Sequence, residues 1–316
     1  MDTWTIARAH TATRRKVAAA ATGVAERAWH GLDPANLAVS WTLAKPRILA
    51  ATAGGQRTAA AGASDYIAAV MAAEGLAPAP TPQVDPDAFA GTTADGRNLA
   101  TLLQLPIATV FQRLGTGMPV DEALDLGGGL LALLVDGEVA DAGRGADSVA
   151  MAVDKRVEGY IRVVSAGACG RCAILAGRWY RWNAAFSRHP HCHCQQVPAT
   201  DAGAVREHLT SPHAYFDSLS RAEQDRAFTV AGAQAIRDGA DIFQVVNARR
   251  GMATATVFGR SLSTTTEGVT RRGLAGRRMR SAGVKSPVRL TPQAIYELAA
   301  DRDEAIRLLY RFGYFI

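Results

Sequence analysis

Apolar residues recur at three- and four-residue spacing through most of the 316-residue chain, the period of amphipathic helices. Residues 1–30 read as a basic helix with Trp4, Ile6, Val17, Val24 and Trp29 on its apolar side and Arg14, Arg15 and Lys16 towards solvent. Gly31 and Asp33-Pro34 stop it. A second helical region is expected from Trp41 to Leu76, broken at Pro46 and around Gly54-Gly55, with Ser64 capping the segment that carries Tyr66, Ile67, Val70 and Met71. Residues 78–97, rich in Pro and small polar side chains, read as a semi-rigid linker.

Helical spacing returns over residues 98–158. Leu99 to Leu114 is expected to kink at Pro106, Val120 to Val135 is weakened by Gly127-Gly128-Gly129, and Asp147 to Val157 forms a short helix. The glycines are not followed by Lys-Ser or Lys-Thr and do not match G-x-G-x-x-G, so they do not signal a phosphate loop. Alternation appears at Gly159 to Val164, one strand. Further on, Ser211-Pro212, the Ser220 to Glu223 capping box and Gly239 delimit helices, and Thr291-Pro292 and Asp301 start two more that end at Gly313.

The fold class expected is α+β and predominantly helical. It comprises a helical N-terminal region (1–77), the linker (78–97), a helical segment (98–158), an α+β module (159–250), a basic Gly-rich arm (251–290) and C-terminal helices (291–316). No apolar run is long enough to span a bilayer, so no membrane role is expected; Leu130 to Val135 is six residues.

Charge adds one asymmetry. Of the formal net charge of +6, the stretch from Gly268 to Arg289 contributes +7, from Arg271, Arg272, Arg277, Arg278, Arg280, Lys285 and Arg289 with no acid between them. Such a run suits nucleic acid or an acidic partner, and equally a solvated connector.

Chemistry concentrates in one place. All four cysteines and three of the seven histidines lie between Cys169 and Cys194, as C-x2-C, sixteen residues, then H-x2-C-x-C. That is the spacing of a four-coordinate structural Zn2+ site over 169–198. Gly170 lets the chain turn so that Cys169 and Cys172 face one ion. If residues 189–194 are extended, Cys192 and Cys194 share a face and the site is all-thiolate; if they turn, His189 and Cys192 converge. Disulfides are not expected, because the N-terminal residues carry no apolar signal-type run. The loop aromatics Trp179, Tyr180, Trp182 and Phe186 are expected to pack as a small core beside the metal, with base stacking as the sharper alternative.

The segment GYIRVVSAGACGRCAILAGRWYRWNAAFSRHPHCHCQQVP resembles the C-terminal signature of the Mu-type minor head proteins of tailed bacteriophages, in the branch found in actinobacterial phages and prophages. The matching positions are Gly159, Tyr160 and Arg162, Cys169 and Cys172, Leu175 and Gly177, Trp179 and Tyr180, then His189, Pro190, Cys192 and Cys194. His193 departs from the pattern, where such proteins often carry Asp or Arg. The likeness extends over about residues 147–250, including the stretch from Ser211 to Phe243. It implies a structural minor capsid protein of head morphogenesis that attaches to the portal through its helical N-terminal part. Capsid and scaffold proteins would be further partners, with packaged DNA near the basic arm. The location implied is the virion, inside the head at the portal vertex, and the host cytoplasm during assembly.

No G-x-S-x-G elbow, spaced carboxylate pair or isolated cysteine suggests an enzyme, and His208 and His213 have no positioned partner. Two rivals stand beside the structural role: a head maturation protease, a label sometimes given to such proteins, and a free zinc-dependent nucleic-acid-binding protein.

Overall fold

The computed structural model describes residues 1–164, 167–185, 194–200, 211–257, 259–284 and 288–315. By internal contacts the chain divides into two units. Unit 1 is Met1–Val163 with Arg178–His208, and unit 2 is Val164–Gly177 with Leu209–Ile316.

Unit 1 is built on three long helices: α1 (Thr3–His30), α2 (Leu37–Ala61) and, after the shorter α3 (Ala63–Ala73), α4 (Leu99–Leu102) and α5 (Leu105–Gly115), the 34-residue α6 (Val120–Val153). The buried side of α1 is mostly alanine, Ala7, Ala18, Ala21, Ala25 and Ala28, so its backbone approaches its neighbours closely. One apolar core joins these alanines to Trp29, Trp41, Ile48, Ile107, Val110, Leu131, Val135 and Val139.

Several expected breaks do not occur. α2 runs through Pro46, which is exposed, so water can take the Thr42 carbonyl that the proline leaves unbonded. It also runs through Gly54-Gly55: a Cβ on Gly55 would stand 2.9 Å from Val139, so this glycine serves packing. The break falls at Gly62, and Ser64, instead of capping, accepts a hydrogen bond from the Val84 N–H. Pro106 kinks nothing, because it sits in the first turn of α5. The two helices expected between Val120 and Val157 are the single α6. Three of its glycines make room for a neighbour: Gly127 and Gly128 face Trp29 and Gly143 faces Arg14, and a Cβ at each would stand under 3.0 Å from that side chain.

Arg14 is the main correction to α1. It does not face solvent but is 5% exposed, and its guanidinium donates to both carboxylate oxygens of the fully buried Asp147 and to the Ala59 carbonyl. His10 meets the same carboxylate at 3.3 Å and stacks on Tyr66 at 3.9 Å. The stretch read as a linker is partly strapped down: a 3-10 turn at Pro86–Phe89, the Arg57–Asp87 ion pair, and the Gln56 side chain bonded to the Gly91 N–H and the Thr92 carbonyl.

β1 (Gly159–Val163) leads out of α6 and is central in an antiparallel sheet of order β2-β1-β3, with β2 (Trp179–Arg181) and β3 (Gln195–Ala199). Ile161 pairs with Trp179 on one side and Val197 on the other. A second core packs Tyr160 and Val197 against Ile67, Val70, Met71, Ala146 and Met151. The Tyr66 hydroxyl donates to the Gln196 carbonyl at 2.9 Å.

Unit 2 begins with the single turn α7 (Gly170–Ala173) and continues with α8 (Pro212–Asp217), α9 (Arg221–Phe228), α10 (Val230–Arg237) and α11 (Ile242–Asn247). Ser211 caps α8, and the Ser220–Glu223 capping box opens α9 as expected. The helix expected to run on through Val230 is divided at Thr229, the non-glycine residue with positive φ (70°) among the described residues. The stretch read as a Gly-rich arm is folded: β4 (Met252–Val257) and β5 (Arg260–Thr265) form a hairpin, α12 (Leu274–Ser281) follows, and β6 (Arg289–Leu290) joins β5. α13 (Pro292–Leu298) and α14 (Arg302–Arg311) close the unit over a core that includes Phe216, Phe228, Ile242, Leu262, Ile295, Leu309 and Tyr314.

Burial by itself would raise the Asp147 carboxyl, but Arg14 and His10 hold it below the ordinary carboxylate value. A lowered value means that this stabilisation is whole above about pH 4, where the unfolded carboxyl titrates, and disappears as pH falls through the lower folded value. In urea unfolding at neutral pH, Arg14→Ala or Asp147→Ala is expected to lose about 3–5 kcal/mol, and Arg14→Met with Asp147→Leu to recover most of it. Losses under about 1 kcal/mol for the single variants would contradict a structural pair.

Candidate functional site

The cysteine segment is divided between the units. Cys169 and Cys172 belong to unit 2, and Cys194 belongs to unit 1, immediately before β3. His189 and Cys192 lie outside the described residues, as do His191, His193, Phe186, His208 and Lys285.

At the first half, α7 starts on Cys169, whose carbonyl accepts from the Cys172 N–H at 2.9 Å and the Ala173 N–H at 3.0 Å. The chain thus turns between the two thiols, as the two-residue spacing requires of ligands to one ion. The role expected of Gly170 differs in detail. It has no positive φ; a Cβ there would stand 3.1 Å from both the Ala227 carbonyl and the Phe228 ring, so the glycine seats the turn on α9. Cys172 is 2% exposed, and Ala173 and Ile174 continue into the core of unit 2.

At the second half, Cys194 is 1% exposed and its sulfur lies 3.5 Å from the Arg162 guanidinium, itself 1% exposed in β1. A guanidinium at that distance donates to the sulfur. Arg162 stood in the sequence as part of a motif with no assigned role. The structure gives it one, next to Cys194.

The loop aromatics behave in two ways. Tyr180 stacks on Tyr160 at 5.3 Å, and Trp179 covers Gly159, where a Cβ would stand 2.4 Å from its ring. Trp182 is 43% exposed and belongs to no described core. Arg178 lies over the Tyr180 ring at 5.5 Å.

The basic run is not one surface. Arg289, expected to meet a partner, is fully buried. Its guanidinium donates to the Phe312 and Gly313 carbonyls at 2.8 and 2.9 Å and lies 3.8 Å from the centre of the Tyr314 ring. It anchors the C-terminus and is unavailable to a ligand. Arg271, Arg272, Arg277 and Arg280 are exposed and Arg278 half-buried, while Ala275, Gly276 and Met279 turn α12 inward. On α14, Arg307 and Arg311 are also exposed, beside Tyr310 at 57%. These two do not stand out in the sequence, because Asp301, Asp303 and Glu304 at the start of the same helix offset their charge. Unit 2 carries seventeen Lys and Arg against ten Asp and Glu, +7, and unit 1 −1.

Together the fold and these groups define a predominantly helical α+β protein with a cysteine–histidine segment and a basic C-terminal unit. The family model described as VG15 protein matches residues 1–222, and the chain belongs to this family of phage proteins. No match is found among curated proteins or among solved structures.

The exposed and buried arginines should separate in experiment. Arg289→Ala is expected to cost about 2–4 kcal/mol in urea unfolding, as its carbonyl partners lose a charged donor in the interior. Arg277→Gln with Arg278→Gln should change stability by no more than about 0.5 kcal/mol. The salt concentration that elutes the chain from immobilised heparin should fall for the exposed pair but not for Arg289→Ala. The opposite order would contradict this division.

Proposed function

We propose that this phage protein is a structural minor head protein, acting in head assembly and in DNA packaging or ejection at the portal vertex. The family match over residues 1–222 carries the phage assignment. The finer reading rests on the motif from Gly159 to Cys194 and its likeness to Mu-type minor head proteins. In this reading the helical unit 1 attaches to the portal, with capsid and scaffold proteins nearby, and the exposed arginines of unit 2 lie towards packaged DNA. The role is assembly and not catalysis.

A structural Zn2+ is part of the proposal, held by Cys169, Cys172, Cys192 and Cys194, or with His189 completing the set. The supporting observations are the ligand spacing, the turn between Cys169 and Cys172, and the guanidinium beside Cys194. Bound there, zinc would cross-link the chain and supply no reaction step.

The test is the particle. Phage heads purified from a lysate of the genome encoding this chain should contain it in a few copies, measured by quantitative mass spectrometry. Deletion of its gene should yield heads defective in packaging or ejection. Its absence from purified DNA-filled heads, or cleavage of capsid protein that is lost with one polar substitution in this chain, would contradict the proposal.

A further inference from the structure

Beyond the exposed acids of its first turns, the outward side of α6 carries an apolar stripe where a solvated helix would be polar. Leu126, Leu130, Leu133 and Gly137 recur at i, i+4, i+7 and i+11 and so form one stripe. Leu126 is 49% exposed, Leu130 and Leu133 are partly exposed, and none of the three belongs to either apolar core of unit 1. Gly129 and Gly137 have nothing within 4 Å of where a Cβ would stand, unlike the other glycines of this helix that face Trp29 and Arg14. Packing inside the chain therefore does not account for the two glycines or for the exposed part of the leucines.

At its N-terminal end the stripe borders a cleft of about 470 Å³, floored by Trp29 and lined by Glu26, His30, Asp121, Asp125 and Gly129. Asp121 lies in the first turn of α6, where a carboxylate complements the helix dipole; Glu26 and Asp125 have no such explanation. None of the three carboxylates makes a hydrogen bond or ion pair with a described residue. Uncompensated negative charge thus adjoins an apolar ridge that is exposed at Leu126 and partly exposed at Leu130 and Leu133.

We propose that this surface docks a basic amphipathic α-helix of a partner protein, with its leucine-like side chains on the ridge and a Lys or Arg in the cleft. The ridge is about 16 Å long, which takes roughly three turns of a partner helix. Charge selects this occupant over a second copy of the same face. From Asp121 to Val135, α6 carries the exposed acids Asp121, Glu122 and Asp125 and no Lys or Arg, so two such faces would set like charges together. The basic helix α12 of another copy does not fit either, since its apolar side is buried in its own unit. The inference stands whatever the role of the protein in the particle.

The probe is a fluorescein-labelled helical peptide of about five turns made of Leu and Lys at amphipathic spacing, with a Leu and Glu peptide as control, titrated with the full chain in fluorescence anisotropy. The Leu-Lys peptide should bind at least about tenfold more tightly than the control. Leu130→Gln with Leu133→Gln, which keeps helix propensity close to that of Leu, should weaken it about tenfold or more. Glu26→Gln with Asp125→Asn should weaken it several-fold and flatten its salt dependence, and both variant pairs should keep the wild-type unfolding midpoint. Equal binding of the two peptides, or indifference to either variant pair, would overturn the proposal. So would a lowered midpoint in the leucine variants, which would place the ridge inside the folded chain. Self-association in sedimentation that the leucine variants abolish would assign the surface to a second copy and overturn it as well.

Discussion

A buried guanidinium facing a buried carboxylate fixes the arrangement of unit 1. Alanine and glycine let α1, α2 and α6 approach closely, but small side chains specify register poorly, since one small residue packs much like another. Arg14 and Asp147 remove that freedom. The pair is satisfied only when α1 lies at one height on α6, with Gly143 opposite the guanidinium and the Ala59 carbonyl of α2 in reach. His10 and Tyr66 extend the same network to α3. Taking both charges from water is costly, so the pair contributes specificity more than net stability.

From that anchor the structure leads towards the cysteines. The C-terminal half of α6 and the face of α3 seat β1 and β3, through Tyr160 and Val197 and through the Tyr66 hydroxyl on the Gln196 carbonyl. Those strands carry Arg162 and deliver Cys194 beside it. Unit 2 is anchored by its own buried arginine, Arg289, which ties the C-terminal turn to β6. Arg14 in unit 1 and Arg289 in unit 2 thus each tie together segments that lie far apart in the sequence.

What was legible in the sequence was local. Ser211 and Ser220 cap their own helices, Thr291-Pro292 and Asp301 open the last two, and Gly313 ends the chain's last helix, because each signal acts within four residues. The alternation of β1 and the helical α+β class were readable for the same reason. What was not legible was long-range. Arg14 reads as a solvent-facing charge until Asp147, 133 positions away, is known to be its partner, and Arg289 reads as part of a basic run until the C-terminal carbonyls surround it. Gly55, Gly127 and Gly128 look like breaks because propensity alone counts against them, whereas the neighbouring Val139 and Trp29 need the space. The candidate site was legible as spacing, while the part played by Arg162 required the strand pairing that brings it to Cys194.

The cysteine segment is proposed as a metal clip in a phage head protein, and metal content tests that role most directly. Elemental analysis of the reduced, purified chain, with thermal unfolding before and after chelation, should find about one zinc per chain and a midpoint lowered by its removal. Zinc should be lost in Cys169→Ser, Cys192→Ser and Cys194→Ser; its retention in His189→Ala would make the site all-thiolate, and its loss would make His189 a ligand. A freshly reduced wild-type chain without metal, and with an unfolding midpoint indifferent to chelator, would contradict the claim.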